Sequence, residues 1–166
     1  PNMVFTSIGH LINKEMLKSC HEEMDEDKAV GIDGITKEEY SRNLDQNLES
    51  LVERIKKKSY KPKPARLVEI PKDNGKMRPL SIYSYEDKLV QEALRRLLEA
   101  VFEPCFYDEM MGFRPNRSCH KAIQKLNTMI QSKPVSYVLD ADIKGFFDHM
   151  DHEWIIRFIE LKIKDP

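Results

Sequence analysis

The sequence predicts a helix-rich α+β fold, and three observations carry that reading. Apolar residues recur at spacings of three and four along most of the chain. One Asp73-Asn74-Gly75 turn signal separates two alternating stretches. A single apolar, β-branched run, Tyr137-Val138-Leu139, ends in two carboxylates, Asp140 and Asp142.

Val4, Phe5, Ile8, Leu11, Ile12, Leu17, Cys20 and Met24 predict an amphipathic helix near 4–24. Gly31-Ile32-Asp33-Gly34-Ile35-Thr36 is a loop by its two glycines. Thr36 with Glu39 makes a capping box. The helix it opens places Tyr40, Leu44, Leu48, Leu51 and Ile55 on one face. Lys56-Lys57-Lys58 and Lys61-Pro62-Lys63-Pro64 end that helix and extend the chain. A hairpin follows, Arg66 to Ile70 outward and Met77 to Ile82 back, with Lys72 just before the turn and Arg78 just after it.

Ser84 with Asp87 predicts a second capping box, and Leu89 to Val101 gives the next helix a core-facing stripe ended by Pro104. The 111–118 loop hands over to a helix capped by Ser118, which packs through Ala122, Ile123, Leu126 and Ile130. Pro134 ends it, and a strand runs to Asp142. Asp151 caps a last helix carrying Trp154, Ile155, Phe158 and Ile159.

Residues two apart on a strand share a side, so Asp140 and Asp142 point together. Acids at the end of a buried strand are costly unless something positive sits against them. Mg²⁺ takes carboxylate and phosphate oxygens together, which points to phosphoryl transfer. The plain alternative is that the two acids only cap the strand or open a turn.

The 166 residues suffice for one domain or two small lobes. No apolar run spans a membrane, no secretory signal is visible, and Pro1 reads as a trimmed or processed start. Cys20, Cys105 and Cys119 lack metal spacing and fit reduced thiols in an intracellular, cytoplasmic protein. His149-x-x-His152 reads as surface or helix start. The net charge of −1 hides an asymmetry. Residues 15–50 hold four bases against eleven acids, net −7, and residues 51–80 hold ten bases against three acids, net +7. The basic segment suits a phosphate-bearing partner; equally, the neighbouring acids could neutralise it.

Asp142-Ile143-Lys144-Gly145-Phe146-Phe147-Asp148, with Asp151-His152 after it, resembles the first catalytic motif of reverse transcriptases, and most closely that of group II intron-encoded reverse transcriptase/maturases. Ile70-Pro71-Lys72 with Gly75-Lys76-Met77-Arg78-Pro79-Leu80 resembles their fingers hairpin, Gly112-Phe113-Arg114-Pro115 with Arg117-Ser118 their next signature, and the 31–36 loop the segment that precedes their fingers. The resemblance divides the chain into an N-terminal extension helix and loop (1–35), fingers (36–134) and a partial palm with the first catalytic motif (135–166).

It implies an RNA-directed DNA polymerase that uses two Mg²⁺ ions and assists intron splicing and mobility. Asp142 is then the metal-binding acid, the Ile143 carbonyl lies close to the second ion, and Asp140 is at most a support. Lys72 and Arg78 hold the dNTP triphosphate, and Phe147 blocks a ribose 2′-hydroxyl. Asp148 holds the turn by local hydrogen bonds, and Phe146 packs in the core. Arg114 and Arg117 meet template or nucleotide phosphate; alternatively Arg114 pairs with Asp108 or Glu109. Lys63 and Arg66 join the nucleic-acid contacts.

The implied partners are RNA template, intron RNA, DNA primer and dNTP. A homodimer is a further expectation, because a truncated palm exposes a strand edge and apolar helix faces. The family's second motif, aromatic-x-Asp-Asp, is missing, as is any Asp-Asp pair. The expectation is therefore a fragment that cannot polymerise alone. The alternatives are a non-catalytic RNA-binding splicing cofactor, or a related retron, diversity-generating or CRISPR-associated reverse transcriptase.

Overall fold

The computed structural model of the chain describes residues 3–71 and 75–165. They form two compact units, one of residues 7–98 with Asp165 and one of residues 3–6 with 99–164.

In the 7–98 unit the first helix is shorter than its apolar pattern. A 3-10 turn at Gly9–Leu11 precedes α1 (Lys14–Glu23), because the Asn13 side chain takes the Met16 amide at 2.9 Å and starts the helix there. The helix predicted from Thr36 starts as expected. Thr36 accepts from the Glu39 amide at 3.1 Å, and the Glu39 carboxylate accepts from the Thr36 amide at 3.0 Å. It then breaks into α2 (Lys37–Ser41) and α3 (Leu44–Lys56). The Asn47 amide donates to the Tyr40 carbonyl at 2.9 Å and satisfies an acceptor that the break would strand.

α1, α3 and α4 (Tyr85–Phe102) supply the core, with Leu17, Leu48, Leu51 and Leu89 fully enclosed. Each such leucine contributes roughly 1.5–3 kcal/mol by leaving water. Lys14 binds Asp45 at 2.8 Å and Glu49 at 2.7 Å, tying α1 to α3 at the surface. Hydrogen bonds to Asp45 and Glu49 push the Lys14 pKa up. β1 (Arg66–Pro71) and β2 (Met77–Ile82) pair antiparallel from Arg66 opposite Ile82 to Pro71 opposite Met77, as the turn signal predicts. Gly31 lies against the start of α4, where a Cβ would meet Ser84 backbone at 2.6 Å. Only glycine fits that approach.

In the 99–164 unit the last turn of α4 passes into a 3-10 turn at Glu103–Cys105, as Pro104 predicts. α5 (Cys119–Ser132) begins where Ser118 accepts from Lys121, and α6 (His152–Glu160) where Asp151 accepts from Glu153 and Trp154. Phe5 forms a parallel bridge with Ile163. Among the described residues, this unit has no residue that is buried as a whole. The packing predicted for α5 is corrected accordingly: Ile123, Leu126 and Ile130 are exposed. The predicted strand to Asp142 is corrected too. Residues 134–143 form no ladder, since no described segment offers them one, and a strand exists only by pairing. Among the described residues, no helix is long and apolar enough to cross a membrane.

Candidate functional site

In the 99–164 unit, Asp140 and Asp142 lie exposed on the unpaired segment that feeds a tight turn. Gly145 sits at φ +62°, a left-handed geometry that suits glycine. Its carbonyl accepts from the Asp148 and His149 amides, each at 3.1 Å, and from the His149 ring through Nδ1 at 2.8 Å. Asp148 therefore holds the turn through its backbone amide, and His149 adds its own amide and its ring. Phe146 and Phe147 meet edge to face at 5.4 Å. Phe147 is 78% exposed, and Phe146, expected in the core, is 49% exposed. Carboxylates are the hard donors that Mg²⁺ prefers. Among the described residues, however, no group of three or more His, Cys, Asp or Glu could hold a metal ion. Asp140 and Asp142 have the donor chemistry for such an ion and do not by themselves make a site.

The loop before α5 is built around Arg114. Its Nε and Nη2 donate to Glu103 at 2.9–3.1 Å, and its Nη1 donates to the Tyr107 and Met110 carbonyls at 2.6 and 2.9 Å. The guanidinium also lies over the Phe106 ring at 5.4 Å, and the side chain is only 7% exposed. The local-acid alternative for Arg114 fits this geometry, with Glu103 in place of Asp108 or Glu109. Arg117 takes Asp108 at 2.9 Å, and Lys125 takes Glu109 at 3.1 Å.

In the 7–98 unit, Arg78 stands exposed on β2 opposite Ile70. Lys72 lies outside the described residues. Lys63 and Arg66 are already engaged. The Lys63 ammonium pairs with Asp33 at 3.0 Å, and Arg66 donates to the Val30 carbonyl at 3.1 and 2.8 Å. Lys56, Lys58 and Lys61 are exposed and have no ion pair among the described residues.

The sequence left Asp87 as a cap residue. The buried carboxylate of Asp87 accepts from the Tyr60 hydroxyl, the Lys63 amide at 3.0 Å and the Ser84 hydroxyl at 2.6 Å. Burial, first, and the Asp87 hydrogen bond push the Tyr60 phenol up. The only signal for this cluster was the Ser84–Asp87 spacing, which says nothing about residues 60 and 63.

The chain is 35% identical over 164 residues to the group II intron-encoded protein LtrA of Lactococcus lactis subsp. cremoris, covering 98% of this chain and 27% of that protein. Protein YkfC of Escherichia coli (strain K12) is 33% identical over 138 residues, 81% of this chain and 36% of that one. Nuclear intron maturase 1, mitochondrial, of Arabidopsis thaliana is 30% identical over 83 residues, 49% of this chain and 11% of that one. The chain thus spans about a quarter of the length of the lactococcal relative. The second hairpin strand, the Arg114 loop and the acidic turn all fall within residues 70–164, the stretch matched by the reverse transcriptase (RNA-dependent DNA polymerase) family, and the chain belongs to that family.

Proposed function

We propose that this chain is the N-terminal extension, fingers and first part of the palm of a longer group II intron reverse transcriptase/maturase. The observation that carries the reading is the acidic turn, in which Asp142 precedes a glycine-dependent bend that projects Phe147. Asp142, with the Ile143 carbonyl beside it, binds divalent metal, for which Mg²⁺ is the proposed ion. The metal would supply charge neutralisation at the triphosphate. Lys72 and Arg78 hold that triphosphate, a point charge and a planar fork respectively. Phe147 excludes a 2′-hydroxyl and so selects deoxynucleotides. RNA template, DNA primer and intron RNA are the macromolecular partners, inside the cell. Arg114 shapes its loop from within, and Arg117, with a more exposed side chain, is the arginine assigned to template or nucleotide phosphate. The names of the relatives favour the intron branch over retron, diversity-generating or CRISPR-associated enzymes.

Because the second acidic motif is missing from these residues, the chain alone does not polymerise. Primer extension on an RNA template with Mg²⁺ and dNTPs tests both claims. No product is expected from these 166 residues, and product is expected from the longer polypeptide. Extension by the chain alone would refute its incompleteness, and extension by the longer Asp142→Ala variant would refute the role of Asp142.

A second reading, RNA binding without chemistry, is favoured by Lys56, Lys58 and Lys61, which are exposed and have no ion pair among the described residues. Binding of intron RNA that survives Asp142→Ala and falls steeply with salt would support it. The exposed apolar side chains of α5 and α6 are consistent with self-association as a homodimer.

A further inference from the structure

The root of the β1–β2 hairpin is fastened to the loop at residues 29–34 and to α4 by contacts that the polymerase reading does not use. Ser59 and Tyr60 amides bond the Arg54 carbonyl at 2.9 and 3.1 Å as α3 ends. The Tyr60 hydroxyl and the Lys63 amide then bond Asp87. The Lys63 ammonium crosses to Asp33, whose other oxygen accepts from the Ile35 amide at 3.3 Å and closes the loop on itself. Arg66, the first residue of β1, donates twice to the Val30 carbonyl. Lys88 donates to the Ala29 carbonyl at 2.5 Å, and Gly31 abuts the backbone of Ser84. Pro62 and Pro64 stiffen the chain between the fastenings. Asp87 is buried, so its contacts are enclosed, whereas Asp33 is 12% exposed against a Lys63 side chain that is 47% exposed, so that pair is open to solvent on the lysine side.

We propose that Asp33 and Asp87 are positioning residues. Through Lys63 and the extended 59–66 segment they fix the direction in which the hairpin leaves the helical core, and so where it presents Arg78 to a nucleoside triphosphate. Lys63 and Arg66 act inward, as straps, and not on nucleic acid. This rests on the reading of the hairpin as the triphosphate grip.

Two measurements test it. In this chain, hydrogen exchange followed by mass spectrometry is expected to speed up across 59–66 in Asp33→Lys and Asp87→Asn, with α1 and α3 unchanged. In the longer enzyme, Asp33→Lys is expected to raise the dNTP KM about tenfold with kcat and RNA affinity retained. The charge-swapped pair Asp33→Lys with Lys63→Asp is expected to bring KM back within about threefold. Arg78→Ala in the same assay separates the two ideas. If it raises KM while Asp33→Lys does not, the positioning role is overturned and the triphosphate grip stands. If Arg78→Ala leaves KM unchanged, the grip fails and the positioning role fails with it. Unchanged exchange across 59–66 in both variants also overturns the proposal.

Discussion

His21 and Tyr85 meet side chain to side chain inside the 7–98 unit, Nδ1 to hydroxyl, at 2.8 Å. The proton positions follow from the neighbours. Ser41 donates its hydroxyl to the Lys37 carbonyl at 2.7 Å, so it can only accept from His21 Nε2, at 3.1 Å. Nδ1 is then the acceptor, and Tyr85 donates to it.

This arrangement makes stability depend on pH. Burial, first, and the Lys37 charge hold the His21 pKa below its usual value, while Glu22 opposes weakly. The unfolded chain therefore takes the proton first as pH falls. Urea midpoints are expected to be flat above pH ~7 and to drop as pH falls below ~6.5. His21→Gln, which keeps a donor and an acceptor, is expected to remove that slope. His21→Phe leaves the Tyr85 hydroxyl without its acceptor and is expected to cost about 1–3 kcal/mol.

Gly31→Ala is expected to be among the more damaging single-methyl changes. Its Cβ would sit 2.6 Å from Ser84 backbone, which cannot yield as a side-chain tip can. A loss of about 1–3 kcal/mol is expected, read as a lower thermal midpoint. Gly34→Ala meets nothing within 4 Å but must hold φ +70°, so a loss of about 1 kcal/mol is expected there.

Arg114→Lys tests the loop before α5. One ammonium cannot reach Glu103 and two carbonyls in the fork geometry that Arg114 uses. Limited proteolysis between residues 103 and 118 is expected to accelerate, while fragments from α1 to α3 stay intact. Arg117→Lys, with one exposed acid as partner, is expected to change little.

Neutralising Lys56, Lys58 and Lys61 to Gln is expected to weaken RNA binding and to make the slope of log affinity against log salt shallower by about 2. Lys63→Gln and Arg66→Gln are expected to leave that slope unchanged, since both side chains already serve the 30–33 loop.

What the sequence revealed was local. Thr36 with Glu39, Ser118 and Asp151 cap their helices as read, because a cap is settled within three residues. Asp73-Asn74-Gly75 marked the hairpin, and the strands fall on either side of it. What it hid depends on distant partners. The break after Ser41 is stabilised by Asn47, Arg114 finds an acid eleven residues away, and Asp87 collects donors from residues 60 and 63. The Tyr137–Asp142 segment looked like a strand by composition, but pairing is not a property of the segment alone. The family resemblance located the acidic turn, and the bond from His149 to Gly145 supplied its geometry.

The uneven enclosure of side chains has a calorimetric consequence. Cooperative melting draws its heat from residues that leave a sealed interior, and among the described residues the buried apolar ones all belong to 7–98. A scanning calorimeter should record one endotherm of about 60–65 kcal/mol, the value for that stretch, against about 115 kcal/mol if all residues melted together. Residues 99–164 should contribute only a sloping baseline, as short helices do when they fray one turn at a time.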